Sequence, residues 1–163
     1  MKIRVIALAC VLVMAVSMLA GCGSVKAKEF SKAGMSITLT TAFTEKEMAT
    51  QTAYYESQKA IVTCLKEEFS ILEDEGLSAD DVTLEQYGEA VIVMNGLDSE
   101  VQTEDGLTYI RYDKSLNGKD FSYYATVFKG TDAFWMIQFA CESKNFDSMH
   151  EIFKTWAKSV KFS

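Results

Sequence analysis

A chain of 163 residues with 16 basic and 23 acidic side chains, net charge −7, is long enough to bury one real core and too short for two ordinary domains. Its acidity argues against nucleic acid as a partner and against a body lying flat on anionic lipid, because both need a basic patch. Proline is absent, where average usage supplies roughly 5 percent, so the turns must rest on Gly, Asn and Asp.

At the start of the chain, Lys2 and Arg4 precede an apolar run from Val5 to Met18, shorter than the ~20 residues a membrane span needs. Residues 1–21 therefore read as a cleaved secretory signal and not as an uncleaved transmembrane helix. The segment ends in Leu19-Ala20-Gly21-Cys22, which resembles the lipobox of exported bacterial lipoproteins. That resemblance implies that Cys22 becomes the lipidated first residue of the mature chain, anchoring it to the extracytoplasmic face of the cell membrane by acyl chains such as palmitate. Two chains on one cysteine hold lastingly, whereas one chain, at about 0.8 kcal/mol per buried methylene, binds only marginally. Loss of Lys2 and Arg4 with the signal leaves 14 basic against 23 acidic residues, net −9. Residues 22–28 read as a lipidated tether reaching at most roughly 25 Å, and residues 29–163 as one domain close to the lipid surface.

Met35 to Thr40 alternates apolar and polar residues, the period of a half-buried strand. Gln51–Glu56 and Ala60–Leu65 read as two more strands, and Lys66–Glu75 as a short helix closed by Gly76. Thr83 followed by Gln86 matches a capping box, after which Leu84, Tyr87, Val91 and Met94 recur at helical spacing until Asn95-Gly96, so a helix is predicted over 83–95. A meander follows. Glu100–Thr103, Leu107–Asp113, Phe121–Phe128 and Ala133–Cys141 are strands separated by Asp105-Gly106, Asn117-Gly118 and Gly130 turn signals. The last two carry apolar side chains on both faces and must be covered on both sides. Asn145 opens a final helix whose stripe is Phe146, Met149, Ile152, Phe153, Trp156 and Val160, with Glu151, Lys154 and Lys158 opposite. The fold class expected is α+β: an antiparallel sheet of about six strands sandwiched between helices.

The succession Met35-Ser-Ile-Thr-Leu, Ala53-Tyr-Tyr-Glu-Ser, Phe121-Ser-Tyr-Tyr-Ala-Thr-Val-Phe-Lys-Gly, Asp132-Ala-Phe-Trp-Met-Ile-Gln-Phe-Ala-Cys and Trp156-Ala-Lys-Ser-Val-Lys-Phe resembles the PsbP-like family. That group shares its fold with the photosystem II extrinsic subunit PsbP and the Ran guanine-nucleotide release factor. The likeness spans Glu29 to Phe162 and rests on packing residues, not on a catalytic signature. It implies a protein that acts through protein contacts.

Few residues suggest chemistry. Cys64 and Cys141 sit in apolar runs and read as core thiols; the exported compartment permits a disulfide, but their spacing does not demand one. His150 stands alone on the last helix and reads as a solvated or boundary residue. The acidic runs lack the ligand spacing of a calcium loop, and no metal or cofactor is expected, since phosphate loops, nucleophile elbows and paired carboxylates are missing. Tyr55, Glu56, Tyr109 and Arg111 are the candidate contacts for a ligand or partner: the tyrosines offer area with a polar tip, and Arg111 interrupts a strand, where it pairs with Asp113 or Glu56 or grips an anion. The loops at Gly76–Asp81 and Asn95–Gly106 are the candidate partner surface. The expected function is a non-enzymatic protein-binding module on an envelope partner; the alternative is a small-ligand or lipid-binding lipoprotein with a pocket between the aromatic sheet and a helix. Replacing Cys22 with Ala is expected to release the protein from membranes or leave unprocessed precursor, and detergent phase partitioning indistinguishable from wild type would refute lipidation.

Overall fold

The computed structural model describes residues 25–74 and 78–163; the signal, Cys22 and Gly76 lie outside them. In chain order the elements are β1 (Ala27–Lys32), β2 (Met35–Thr40), β3 (Thr44–Lys46), β4 (Ala53–Glu56), β5 (Ile61–Glu68), α1 (Phe69–Asp74), α2 (Leu84–Asn95), β6 (Val101–Glu104), β7 (Leu107–Leu116), β8 (Lys119–Lys129), β9 (Ala133–Glu142), α3 (Phe146–Lys158) and β10 (Lys161–Phe162). A 3₁₀ turn, Ala79–Asp81, precedes α2. Seven strands form one sheet in the order β3-β4-β5-β9-β8-β7-β6, with antiparallel neighbours throughout. A second, three-stranded sheet has the order β1-β2-β10.

The large sheet is buried on both faces at its centre. Phe121 through Val127 in β8 and Ala133 through Cys141 in β9 are buried without interruption, as the double-sided apolar pattern requires. On one face Tyr55, Val62, Trp135, Ile137 and Phe139 pack against Phe146, Met149, Phe153 and Trp156 of α3 and against Phe30, Ile37 and Leu39 of the small sheet. On the other, Ile110, Ala125, Val127, Phe134 and Met136 meet Tyr87 and Val91 of α2, Leu72 of α1 and Ala79. Farther along that face, Tyr54 and Ile61 pack with Met48 and Leu116, and Phe121, Tyr123 and Ala140 with Tyr112 and Leu116.

Local chemistry fixes the connections. The Thr83 hydroxyl accepts from the Gln86 backbone while the Gln86 side chain accepts from the Thr83 backbone, closing the start of α2, and Gly96 at φ 58° ends it. Asn117 and Gly118, at φ 52° and 76°, form a two-residue hairpin turn with the left-handed backbone such turns need.

The structure departs from the sequence reading at several places. β1 begins at Ala27, inside the stretch assigned to the tether, and it pairs with β2 along its length. β5 runs through Glu68, paired with Ala133, so the helix starts only at Phe69. The covering of one face is shared between a helix and a small sheet. Ile152, placed in the stripe of α3, is 41% exposed, whereas Lys154, placed opposite, is 6% exposed. Both sit roughly 100° from Phe153 about the axis, and the partners described below draw the Lys154 side inward. Cys64 and Cys141 are buried and unbridged. Cys64 lies opposite Ile137, four residues along β9 from Cys141 and so roughly 13 Å away, beyond disulfide reach.

Trp156 packs edge-on against Phe43 at 5.2 Å and near Phe153 at 5.8 Å. Trp156→Ala is expected to lower unfolding free energy by about 3–5 kcal/mol; an unchanged denaturant midpoint would contradict its core role.

Candidate functional site

Tyr55 and Glu56 lie on β4, and Tyr109 and Arg111 on β7, with β5, β9 and β8 between them. Four strand spacings, roughly 19 Å, separate the two pairs, so they form no common site. The Tyr55 ring packs 4.8 Å from Phe30, and its buried hydroxyl has no hydrogen-bond partner. Burial, then the nearby Cys64 thiol, pushes this phenol far above its usual range. Glu56 pairs with Lys46 across β3 and β4.

Around Tyr109 and Arg111 a different cluster assembles. Phe146, His150, Lys154 and Lys158 follow one another at four-residue intervals and form one row along α3. Each faces the β6–β7–β8 side of the sheet. The Arg111 guanidinium lies 4.5 Å above the Phe146 ring. His150 stacks on Phe146 at 5.3 Å and meets the Tyr124 ring edge-on at 5.3 Å. Tyr124 stands opposite Arg111 in the β7–β8 register and 4.6 Å from the ring of Tyr109, whose hydroxyl donates to Gln102 at 2.8 Å.

Lys154 reaches Asp105 at 2.9 Å, Glu104 at 3.3 Å and Glu151 at 3.4 Å, while Lys158 reaches Asp105 at 3.3 Å. These contacts tie α3 to the β6–β7 turn. Hydrogen bonds from Lys154, then Lys158, hold the Asp105 carboxyl below its usual range, and the bond to Asp105 holds the Lys154 ammonium above its own.

One expectation needs correction here. Arg111 does not pair with Asp113 or Glu56: Asp113 accepts from the Ser122 hydroxyl, Glu56 is taken by Lys46, and the guanidinium rests on an aromatic face. His150 is a boundary residue as expected, yet its Nε2 is buried and, like the fully buried Tyr124 hydroxyl, has no hydrogen-bond partner. Burial is the main cause that pushes the Tyr124 phenol far above its ordinary value.

The opposite face of the sheet carries a layer of other chemistry. Between Lys66 and Arg111 the sequence has thirteen carboxylates and no lysine, arginine or histidine. α2 presents Glu85, Gln86, Glu89 and Val93 outward, Val93 at 79% exposure, with Ile71 of α1 at 42%. Tyr87 stacks on Phe134 at 4.7 Å and donates to Glu67, whose carboxyl burial raises above the usual value despite that bond. Lys129 donates to the Ala79 carbonyl at 2.7 Å and lies 3.5 Å from Asp80, securing the 3₁₀ turn. Of the expected partner loops, the described parts, from Ser78 to Asp81 and from Asn95 to Gly106, flank α2 at its two ends. Among the described residues, no group of three His, Cys, Asp or Glu side chains could hold a metal, and no helix is long and apolar enough to cross a membrane.

No family model and no curated protein matches the sequence. Solved structures do match the fold. The chain is similar to cyanobacterial PsbP (CyanoP) from Synechocystis sp. PCC 6803, with TM-score 0.54 and 11% identity over 91% of this chain and 99% of that one. It is also similar to a protein from Bacteroides thetaiotaomicron, with TM-score 0.52 and 8% identity over 83% of this chain and 48% of that one. The fold is PsbP-like, as the resemblance in sequence implied.

The low pKa of Asp105 sets an acid dependence. Its charged form is favoured by folding, so its contribution is complete above the unfolded value of 3.8 and is lost as pH falls through the lower folded value. Asp105→Asn is expected to lower stability at pH 6 and to flatten the loss of stability between about pH 4 and pH 2; parallel wild-type and variant curves in urea titrations over that range would contradict the linkage.

Proposed function

We propose that the protein is a non-enzymatic binding module, held at the outer face of the cell membrane by lipid on Cys22 and docking on another envelope protein through the α2 layer. The observation that supports this reading is Val93, 79% exposed on a helix capped at both ends, with Glu85 and Glu89 outward on the same helix. An apolar centre within a carboxylate field is complementary to a partner patch with Lys or Arg around an apolar pocket, and the sign of the field selects that partner. The α2 layer is also the one that the acidic, lysine-free stretch of the chain builds, so its charge is not neutralised from within that stretch. The PsbP-like fold is compatible with this role and does not specify the partner.

A second reading is a small-ligand-binding lipoprotein with its pocket between the aromatic sheet and a helix. The partnerless Tyr124 hydroxyl and His150 Nε2 under α3 favour it. Co-purifying cargo seen by native mass spectrometry is its own test.

For the docking reading, in-cell crosslinking of the lipidated protein followed by membrane extraction is expected to recover one recurrent envelope protein. Val93→Lys is expected to reduce that recovery about tenfold or more with the melting temperature unchanged. Undiminished recovery with Val93→Lys, or no recurrent partner from well-labelled protein, would overturn docking through α2.

A further inference from the structure

The cluster of Arg111, Phe146, His150 and Tyr124 holds three polar side chains for which the described residues supply no hydrogen-bond partner. Arg111 is exposed and rests on the Phe146 ring without a carboxylate partner among the described residues. Tyr124, beside it in register, is fully buried with its hydroxyl unpaired. His150 touches both Phe146 and Tyr124 at 5.3 Å, and its Nε2 is likewise buried and unpaired. Leaving buried polar atoms unmatched costs about 1–3 kcal/mol each, so two of them on rings in edge-on contact mark a place where a hydrogen-bonding group belongs. Glu104 and Asp105 at the β6–β7 turn and Glu151 on α3 are engaged by Lys154.

We propose that Arg111, Tyr124 and His150 form a binding site for the carboxylate of a small apolar acid, with Phe146 and Tyr109 as its aromatic walls. A guanidinium, a phenol hydroxyl and an imidazole N–H each donate toward such a group, and a carboxylate offers about four lone-pair directions to receive them. The aromatic walls select an acid with a planar or apolar body. Entry requires the exposed Arg111 side chain to leave the Phe146 face and close again on the bound carboxylate, a rotamer change of the ps–ns class. The inference rests on the small-ligand reading and names its chemistry.

His150 is the single histidine of the chain, so one imidazole spectrum reports on the site. The test follows the ¹⁵N resonances of His150 in the detergent-solubilised full chain during titration with benzoate, with benzamide as the uncharged isostere. Benzoate is expected to shift them saturably while benzamide leaves them in place; Arg111→Gln is expected to weaken binding about tenfold or more, and Tyr124→Phe, which removes only the hydroxyl, by a smaller factor. A peptide ending in Phe with a free carboxyl terminus, compared with its amide, separates a chain terminus from a free acid as the natural source, and response to either carboxylate supports the site. Resonances unmoved by both carboxylates, or moved equally in Arg111→Gln, would overturn it. Cargo found by native mass spectrometry in that event would leave the broader small-ligand reading standing.

Discussion

Strands β8 and β9 bury both of their faces, and the rest of the architecture follows from that demand. Trp135, Ile137 and Phe139 on one face of β9 and Phe134 and Met136 on the other are all withdrawn from water. At about 25 cal/mol per Å² of apolar area, exposing either set would outweigh the few kcal/mol by which a domain of this size is stable. One layer cannot satisfy both sets. α3 with the three-stranded sheet closes one face, and α1, the 3₁₀ turn and α2 close part of the other.

The two covers differ in what they leave over. On the α3 side, apolar packing along Phe146, Met149, Phe153 and Trp156 is bordered by the row that ends in Lys154 and Lys158, and the ion pairs there pin the helix to the β6–β7 turn. Where the row passes from aromatic to cationic, Tyr124 and His150 keep unmatched polar atoms. On the α2 side, Tyr87 and Val91 supply the buried contacts of a helix whose other surface is acidic and includes Val93. The small-ligand reading thus belongs to the border of a tightly closed face, and docking belongs to the outer surface of the opposite one.

Much of this fold was legible because its long elements obey strong periods. The alternation of Met35–Thr40, the capping box at Thr83 and the glycine turns around β7 and β8 each have a local physical cause, and they stand where the sequence placed them. The missed strands carry no such pattern. β1 buries only Phe30, β3 buries nothing and β10 has two residues; backbone pairing with neighbours, which side-chain alternation does not report, makes them strands. For the site, the sequence singled out Tyr109 and Arg111 but offered the arginine Asp113 or Glu56 as a structural partner, because Phe146, its actual contact, is brought by a distant helix. The four-residue row from Phe146 to Lys158 was visible as spacing. Its inward tilt was not, since Ile152 outranks Lys154 in hydrophobicity and only Glu104 and Asp105, from another part of the chain, reverse that order.

Native-state hydrogen exchange tests most directly whether the doubly buried strands are what the other elements depend on. The account predicts that amides of β8 and β9 exchange only through global unfolding, with the full denaturant dependence, while α2 opens at lower free energy with the sheet intact. Exchange of β9 amides through a local opening that leaves α2 protected would contradict it.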